Sequence, residues 1–315
     1  MPLQRVITDF GADVPFGQIP KKLIEHHGIS VPISSAQGIT QTHAQRVLDT
    51  QTLDTEIPIG ATVATLITQM DGSMIPIVDT TPEEGAPEQV DRRTTRKISW
   101  KEARLGFARS PEQTLPIFGS TLGGVDETGA QMLHVAIRSG LGADTFVHGV
   151  GDGAPWIATQ IDALLGEPGR FLLDFYHVCD YLADASRVCA PNAPKAWMEQ
   201  QKRRLKQNHF GAVLKALKPF QEADSVPEKQ APVRAAYRYL HNRPQHLDYK
   251  GSISQELPIG SGEIESAHRY IIQIRLKRSG SWWTVEKAEA MLALRVLRAN
   301  QDWDDYWLNL TSSAA

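Results

Sequence analysis

The sequence predicts an α/β protein: a mixed sheet flanked by helices and interrupted by an all-helical insertion. Three observations predict it. β-rich apolar runs follow one another at residues 62–70, 74–78 and 98–108. A strand, tight turn, helix and strand then succeed each other within residues 145–177. Residues 178–249 carry helical spacing and no convincing strand. Three antiparallel strands followed by α/β units fit a sheet of mixed direction.

Composition bounds the answer. The chain has 315 residues, enough for a sizeable core and more than one domain. Charged residues are 22% and hydrophobic ones 41%, a soluble globular profile. No stretch reaches the roughly 18 consecutive apolar residues of a membrane span, and the N-terminus has no apolar signal core. Cys179 and Cys189 form no C-x-x-C pair. A cytoplasmic, reduced, disulfide-free protein is the simplest expectation.

Taken in order, residues 16–27 form a short helix, with Pro20 near its start and Gly28 at its end. A second helix is expected at 38–48. Helix, short connection, helix is the outline of a helix-turn-helix, but Gly38 inside the second helix and its few Lys and Arg favour a plain helical hairpin. Residues 62–70 read as a strand, Asp71-Gly72 as a hairpin turn and 74–78 as the returning strand. Residues 80–96 are polar, with Pro82 and Pro87, and read as a loop. A third strand at 98–108, a Gly-containing connection at 116–124 and a helix at 125–139 follow. Next come a strand at 145–150, a GDGAPW turn, a helix at 157–165, a break at 166–169 and a strand at 170–175. Helical segments at 181–188, 193–207, 211–217 and 231–241 make the insertion. A helix at 261–274, capped by Ser261, precedes a basic aromatic turn and a strong helix at 284–300. WDDYW is expected to end the ordered part. A ribonuclease-H-like core has this order of elements. The expected divisions are 1–58 helical, 59–178 the first part of the core, 179–256 the insertion, and 257–315 the closing helices.

Net charge is −3, so bulk charge does not mark a nucleic-acid binder. The distribution says more. Residues 195–218 hold seven Lys and Arg, among them Arg203 and Arg204, against one acid, Glu199. Residues 269–278 hold Arg269, Arg275, Lys277 and Arg278 with no acid. Two basic stretches on a mildly acidic chain suit a polyanion groove; solvated helix faces are the bland alternative.

The turn after the fourth strand admits two chemistries. Gly149, Gly151 and Ala154 match G-x-G-x-x-A, with Asp174 twenty residues on where a ribose-binding acid belongs. That pattern implies an NAD-dependent enzyme. Asp152 opposes it, because a carboxylate inside the turn repels a pyrophosphate. Asp152 argues for a metal, or for ordinary Asp-Gly turn chemistry. Asp71, Asp152 and an acid in Glu263–Glu265 stand at positions that a mixed sheet and a neighbouring helix can bring together. Hard divalent cations want such oxygen ligands. Residues two apart on a helix face nearly opposite ways, so only one of Glu263 and Glu265 can join.

The runs DGSMIPIV, GVGDGAPWI, FLLDFYHV, LPIGSGEIESAHRYIIQIRLKRSGSWWT and AMLALRVLRANQDWDDYW resemble the DDE transposases of bacterial insertion sequences. The nearest type is ISKra, related to the Mutator-like superfamily. The resemblance extends from about Asp9 to Trp307. It implies that Asp71, Asp152 and Glu265 are the catalytic and metal-binding acids, with Asp174 and His177 in a supporting C/D-x-x-H signature. It implies two Mg²⁺ or Mn²⁺ ions, DNA as partner, and a homo-oligomer assembled on the element's terminal inverted repeats and target DNA. Arg269 falls one turn beyond Glu265, placed for a phosphate. Lys277 and Arg278 with Trp282 and Trp283 would grip backbone and stack bases, unless the tryptophans are core. Such transposases usually carry a longer DNA-end-binding region before the core, of which residues 16–48 would be a remnant. The alternative function is therefore a shortened, catalytically defective relative that binds DNA or regulates.

Overall fold

The computed structural model describes residues 2–60, 62–79, 96–165 and 170–312. Among them five strands form one sheet: β1 (Thr65–Asp79), β2 (Lys97–Arg109), β3 (Ile117–Thr121), β4 (Phe146–Gly151) and β5 (Arg170–Leu173). Their spatial order is β3-β2-β1-β4-β5. β2 runs antiparallel to β1 and β3, whereas β1, β4 and β5 are parallel. The α/β class and the mixed sheet are as the sequence predicts.

Three helices precede the sheet: α1 (Pro2–Asp13), α2 (Ile19–His27) and α3 (Ile33–Asp49). α4 (Val125–Arg138) links β3 to β4, and α5 (Pro155–Leu165) links β4 to β5. The insertion comprises α6 (Phe175–Cys189), α7 (Pro194–Lys206), α8 (Phe210–Leu217), α9 (Pro232–His241) and α10 (Tyr249–Ser254). α11 (Gly262–Ala267) runs into a π-helical segment, His268–Gln273, and a last turn α12 (Ile274–Leu276). α13 (Val285–Ala299) and α14 (Trp303–Ser312) end the described chain.

Each face of the sheet has its own core. One face packs Leu66, Met70 and Val147 against Met132 and Val135 of α4, Ile157 and Ile161 of α5, and the insertion. Gly149 is required there, because a Cβ would run into Ile161 of α5. The other face packs Ile67, Ile75, Leu105 and Phe107 against Ile264 and Ala267 of α11 and Leu292 of α13. Alternation along β1 therefore sends Gln69 and Asp71 toward the face that α11 covers. No helix among the described residues is long and apolar enough to cross a membrane. Cys179 and Cys189 are free and buried, and burial pushes both thiols up to about 11.

The largest correction concerns Asp71-Gly72. It is not a hairpin turn: β1 continues straight through it, with Asp71 paired to Leu105 and Gly72 to Arg104. The register runs unbroken from Ile67↔Arg109 to Asp79↔Lys97. A long tertiary partner outweighs the local turn preference of an Asp-Gly pair. The glycine has another use, since a Cβ at Gly72 would strike the Glu102 side chain. The third antiparallel strand is instead β3, inside the stretch expected to be a connection.

Smaller corrections follow. Residues 2–13 are a helix that the sequence reading omits, tied to α13 by Asp13 with Arg295 (3.0 Å) and Arg298 (2.8 Å). α3 starts at Ile33, directly after Pro32, and docks on α13 and α14; His43 Nδ1 lies 2.7 Å from the Tyr306 hydroxyl. WDDYW opens a helix rather than ending the order. The expected break at 166–169 and most of the loop at 80–96 lie outside the described residues.

Candidate active site

The sheet register places the first two acids side by side. The last parallel pair between β1 and β4 is Gln69↔Val150, so Asp71 and Asp152 each stand two residues beyond it. Asp71 sits there although it is mid-strand, because β1 outruns β4. Its Oδ1 accepts the Gly72 N–H at 2.7 Å. Asp152 begins the turn into α5, where its Oδ1 accepts the Ala154 N–H at 2.9 Å. That N–H is one a bound pyrophosphate would need, which counts against the dinucleotide reading. Gly153 adopts φ +79°, a left-handed conformation that suits glycine.

The insertion holds this turn from the other side. The Tyr239 hydroxyl of α9 donates to the Asp152 carbonyl, and Arg243 Nη2 donates to the Gly153 carbonyl at 3.0 Å. Burial raises the Tyr239 phenol well above its ordinary range, so it stays a donor at neutral pH.

α11 brings the third acid, and five hydrogen bonds from three residues fix where it starts. Gln69 Nε2 donates to the Gly260 carbonyl (3.1 Å), and Gln69 Oε1 accepts the Ile264 N–H (3.1 Å). The buried His148 of β4 holds the Pro258 carbonyl at 2.8 Å. Asp174, 2% exposed, accepts the Ser261 N–H at 2.6 Å and the Ser261 hydroxyl. The same carboxylate caps α6, accepting the N–H groups of Tyr176 (2.5 Å) and His177 (3.0 Å). Asp174 is thus a helix cap that also clamps a second helix, not the end of a strand. Ser261 stands at the N-cap of α11, but its side chain does not cap that helix.

Two acids compete on α11, and their partners separate them. Glu263 is taken by Arg109, whose Nε and Nη2 reach its carboxylate at 2.9 and 3.0 Å. Glu265 is exposed and close enough to Asp71 for their charges to interact. Burial raises the Asp71 carboxyl from 3.8 to about 6; the Gly72 N–H opposes this, and the charges of Asp152, Glu265 and Glu102 add to the rise. The donor set is all carboxylate, the chemistry of a hard divalent cation. Among the described residues no three His, Cys, Asp or Glu side chains stand as a ready metal cage.

His268, three residues after Glu265, went unread in the sequence. Its ring is 2% exposed, its Nε2 lies 3.7 Å from Asp71 Oδ2, and neither ring nitrogen has a hydrogen-bond partner. Burial lowers it to about 4, so it faces Asp71 uncharged at neutral pH. It opens the π-helical segment, a distortion frequent at functional sites.

The raised Asp71 carboxyl has a stability consequence. Between 3.8 and about 6 the folded chain binds this proton and the unfolded chain does not, so stability falls as pH rises through that window. Asp71→Asn is expected to raise the metal-free Tm by roughly 2–4 °C above pH 6 and to change it little near pH 4. Thermal melts at the two pH values check this; an equal shift at both would refute the assignment.

The basic residues divide. Arg203, Arg269, Lys277 and Arg278 are exposed. Arg204 is half-buried and donates to Gln201 (3.0 Å) within the insertion. Arg275 is a correction: it is 2% exposed, donates from Nε to the Gly11 carbonyl at 3.0 Å, and lies over Phe16 and Trp283 at 4.6 and 4.7 Å. It ties α12 to the N-terminal helices and is no groove cation. Trp283 is core, whereas Trp282 is exposed beneath Arg96. Arg275→Ala is expected to cost about 2–3 kcal/mol by urea unfolding, through lost packing and an unpaired carbonyl. An effect on DNA affinity without that loss would overturn this placement.

No curated protein matches the chain. A family model matches residues 143–305, which include Asp152, Asp174, His177 and Glu265 and make up just over half of the 315 residues. The chain belongs to the uncharacterised protein family UPF0236.

Proposed function

We propose that the protein is a transposase of the DDE type, with a ribonuclease-H-like core and a helical insertion between its second and third acids. One observation carries the reading: Asp71, Asp152 and Glu265 come from two parallel strands and one late helix to a single place, where the charges of the other two bear on Asp71. The sheet order β3-β2-β1-β4-β5, with only β2 reversed, supports the ribonuclease-H-like part.

Asp71, Asp152 and Glu265 would hold Mg²⁺ or Mn²⁺. When bound, such a pair of ions supplies an activated water and stabilises both oxygens of an in-line displacement at phosphorus. The chain's own work is placement. The sheet register fixes Asp71 against Asp152, and Gln69, His148 and Asp174 fix the start of α11 and so the reach of Glu265. Arg109 keeps Glu263 away from the cation site. Exposed Arg269 stands four residues beyond Glu265, where a DNA phosphate would lie. Water first hydrolyses a phosphodiester at the element end, and the freed 3′ hydroxyl then attacks a target phosphorus, breaking its P–O3′ bond and releasing a target 3′ hydroxyl, with no covalent bond to the enzyme.

The test begins by locating terminal inverted repeats in the DNA on either side of the gene, and then measures cleavage and strand transfer with Mg²⁺ or Mn²⁺ on DNA that carries them. Metal-dependent nicking at the repeat ends supports the proposal. Binding to that DNA without cleavage in either metal would mark a DNA-binding regulator instead.

A further inference from the structure

Among the described residues three histidines are buried: His43, His148 and His268. His43 sets its Nδ1 against the Tyr306 hydroxyl, and His148 sets its Nε2 against the Pro258 carbonyl. Of the three, His268 alone uses neither ring nitrogen. The Asp71 main-chain carbonyl bears on the ring without completing a hydrogen bond. A buried donor or acceptor left bare costs free energy, so a ring that bares both nitrogens calls for a reason.

Position supplies one. His268 Nε2 lies 3.7 Å from Asp71 Oδ2. That is too long for a hydrogen bond. Two donors that share one cation, each about 2.1 Å from it, stand about 3–3.7 Å apart. Asp71 and His268 already have that spacing. Glu265 comes three residues before His268, and the backbone stays helical from one to the other. Side chains three apart rise from the same helix face. Helices that bind iron or manganese among carboxylates carry this Glu-x-x-His spacing.

We infer that His268 is a metal ligand: its Nε2 joins Asp71 and Glu265 around one cation and gives that site a preference for Mn²⁺ over Mg²⁺. The inference rests on the cation site of the transposase reading and adds a nitrogen donor to it. Mg²⁺ takes oxygen ligands, whereas imidazole suits first-row transition ions. No three such donors form a closed cage among the described residues. Asp71 and His268 are the pair already in place, and exposed Glu265 completes the set when the ion binds.

The test uses the full chain with Mn²⁺ alone and with Mg²⁺ alone, without DNA. Pulsed electron paramagnetic resonance of the Mn²⁺-loaded protein is expected to show hyperfine coupling to an imidazole nitrogen. His268→Gln should abolish that coupling. By calorimetry it should weaken Mn²⁺ binding about ten- to a hundredfold and leave Mg²⁺ binding within about threefold. Replacing a ring that only packs would weaken both ions alike. His268→Asn is the second variant, and the melting temperatures of both control for folding. Absence of the nitrogen coupling in wild-type protein, its persistence in His268→Gln, or an equal loss of both ions overturns the assignment. The wild-type spectrum decides even where neither variant folds. Nitrogen coupling without cleavage of repeat-bearing DNA keeps the ligand and refutes the transposase reading; cleavage without nitrogen coupling does the reverse.

Discussion

Glu265→Gln is expected to lower metal-dependent DNA cleavage roughly a thousandfold while leaving the melting temperature unchanged. The change keeps the shape of the side chain and removes the charge. A lost metal ligand at a phosphoryl-transfer site is worth several kcal/mol in the transition state, and each 1.4 kcal/mol is about tenfold in rate. Glu265 is exposed, so its neutralisation disturbs no core. Glu263→Gln is the control two residues away. It breaks the ion pair with Arg109, costs about 1 kcal/mol or less, and should leave cleavage within about a few-fold. Reversed outcomes, with Glu263→Gln inactive and Glu265→Gln active, would exchange the roles of the two acids.

Asp174→Ala should be the most destabilising single change near the site, at about 3–5 kcal/mol by urea unfolding. The buried carboxylate accepts four donors: two N–H groups of the first turn of α6, the Ser261 N–H and the Ser261 hydroxyl. Losing a helix cap costs about 1–2 kcal/mol, and each buried donor left unpaired adds about 1–3 kcal/mol. Asp174→Asn should recover about half of the loss, since an amide oxygen can still cap α6 while its NH₂ meets the Ser261 N–H. Cleavage should fall as well, because α11 loses a tie that sets the reach of Glu265. A loss under about 1 kcal/mol for Asp174→Ala would remove the clamp from this account.

The unit from β4 to β5 was legible because its signals are local: β-branched runs, a Gly-rich turn, and Pro155 at the start of a helix. Asp71-Gly72 was misread for the complementary reason. The local signal is a turn, but the decisive partner, β2, begins some way along the chain and pairs with β1 continuously from Ile67 to Asp79. Distance in sequence hid the supporting residues too. Gln69 holds a carbonyl 191 residues away, and His148 holds one 110 residues away. Nothing in the neighbourhood of either residue announces such a role. The choice between Glu263 and Glu265 turned on Arg109, a strand residue that reads as an ordinary edge charge. Arg275 misled because a basic run predicts solvent, whereas an arginine can lie over Phe16 and Trp283 in a core.

The grip of α9 on the Asp152 turn has a thermodynamic consequence. Tyr239 and Arg243 hold the carbonyls of Asp152 and Gly153, so the docking of the insertion and the conformation of the second acid are linked equilibria. Linkage is reciprocal. Whatever binds at Asp152 tightens the insertion by the same free energy with which the docked insertion favours that binding. The helical insertion is then a lever on the acid, and hydrogen exchange in α9 would report occupancy of a site on the far side of the turn.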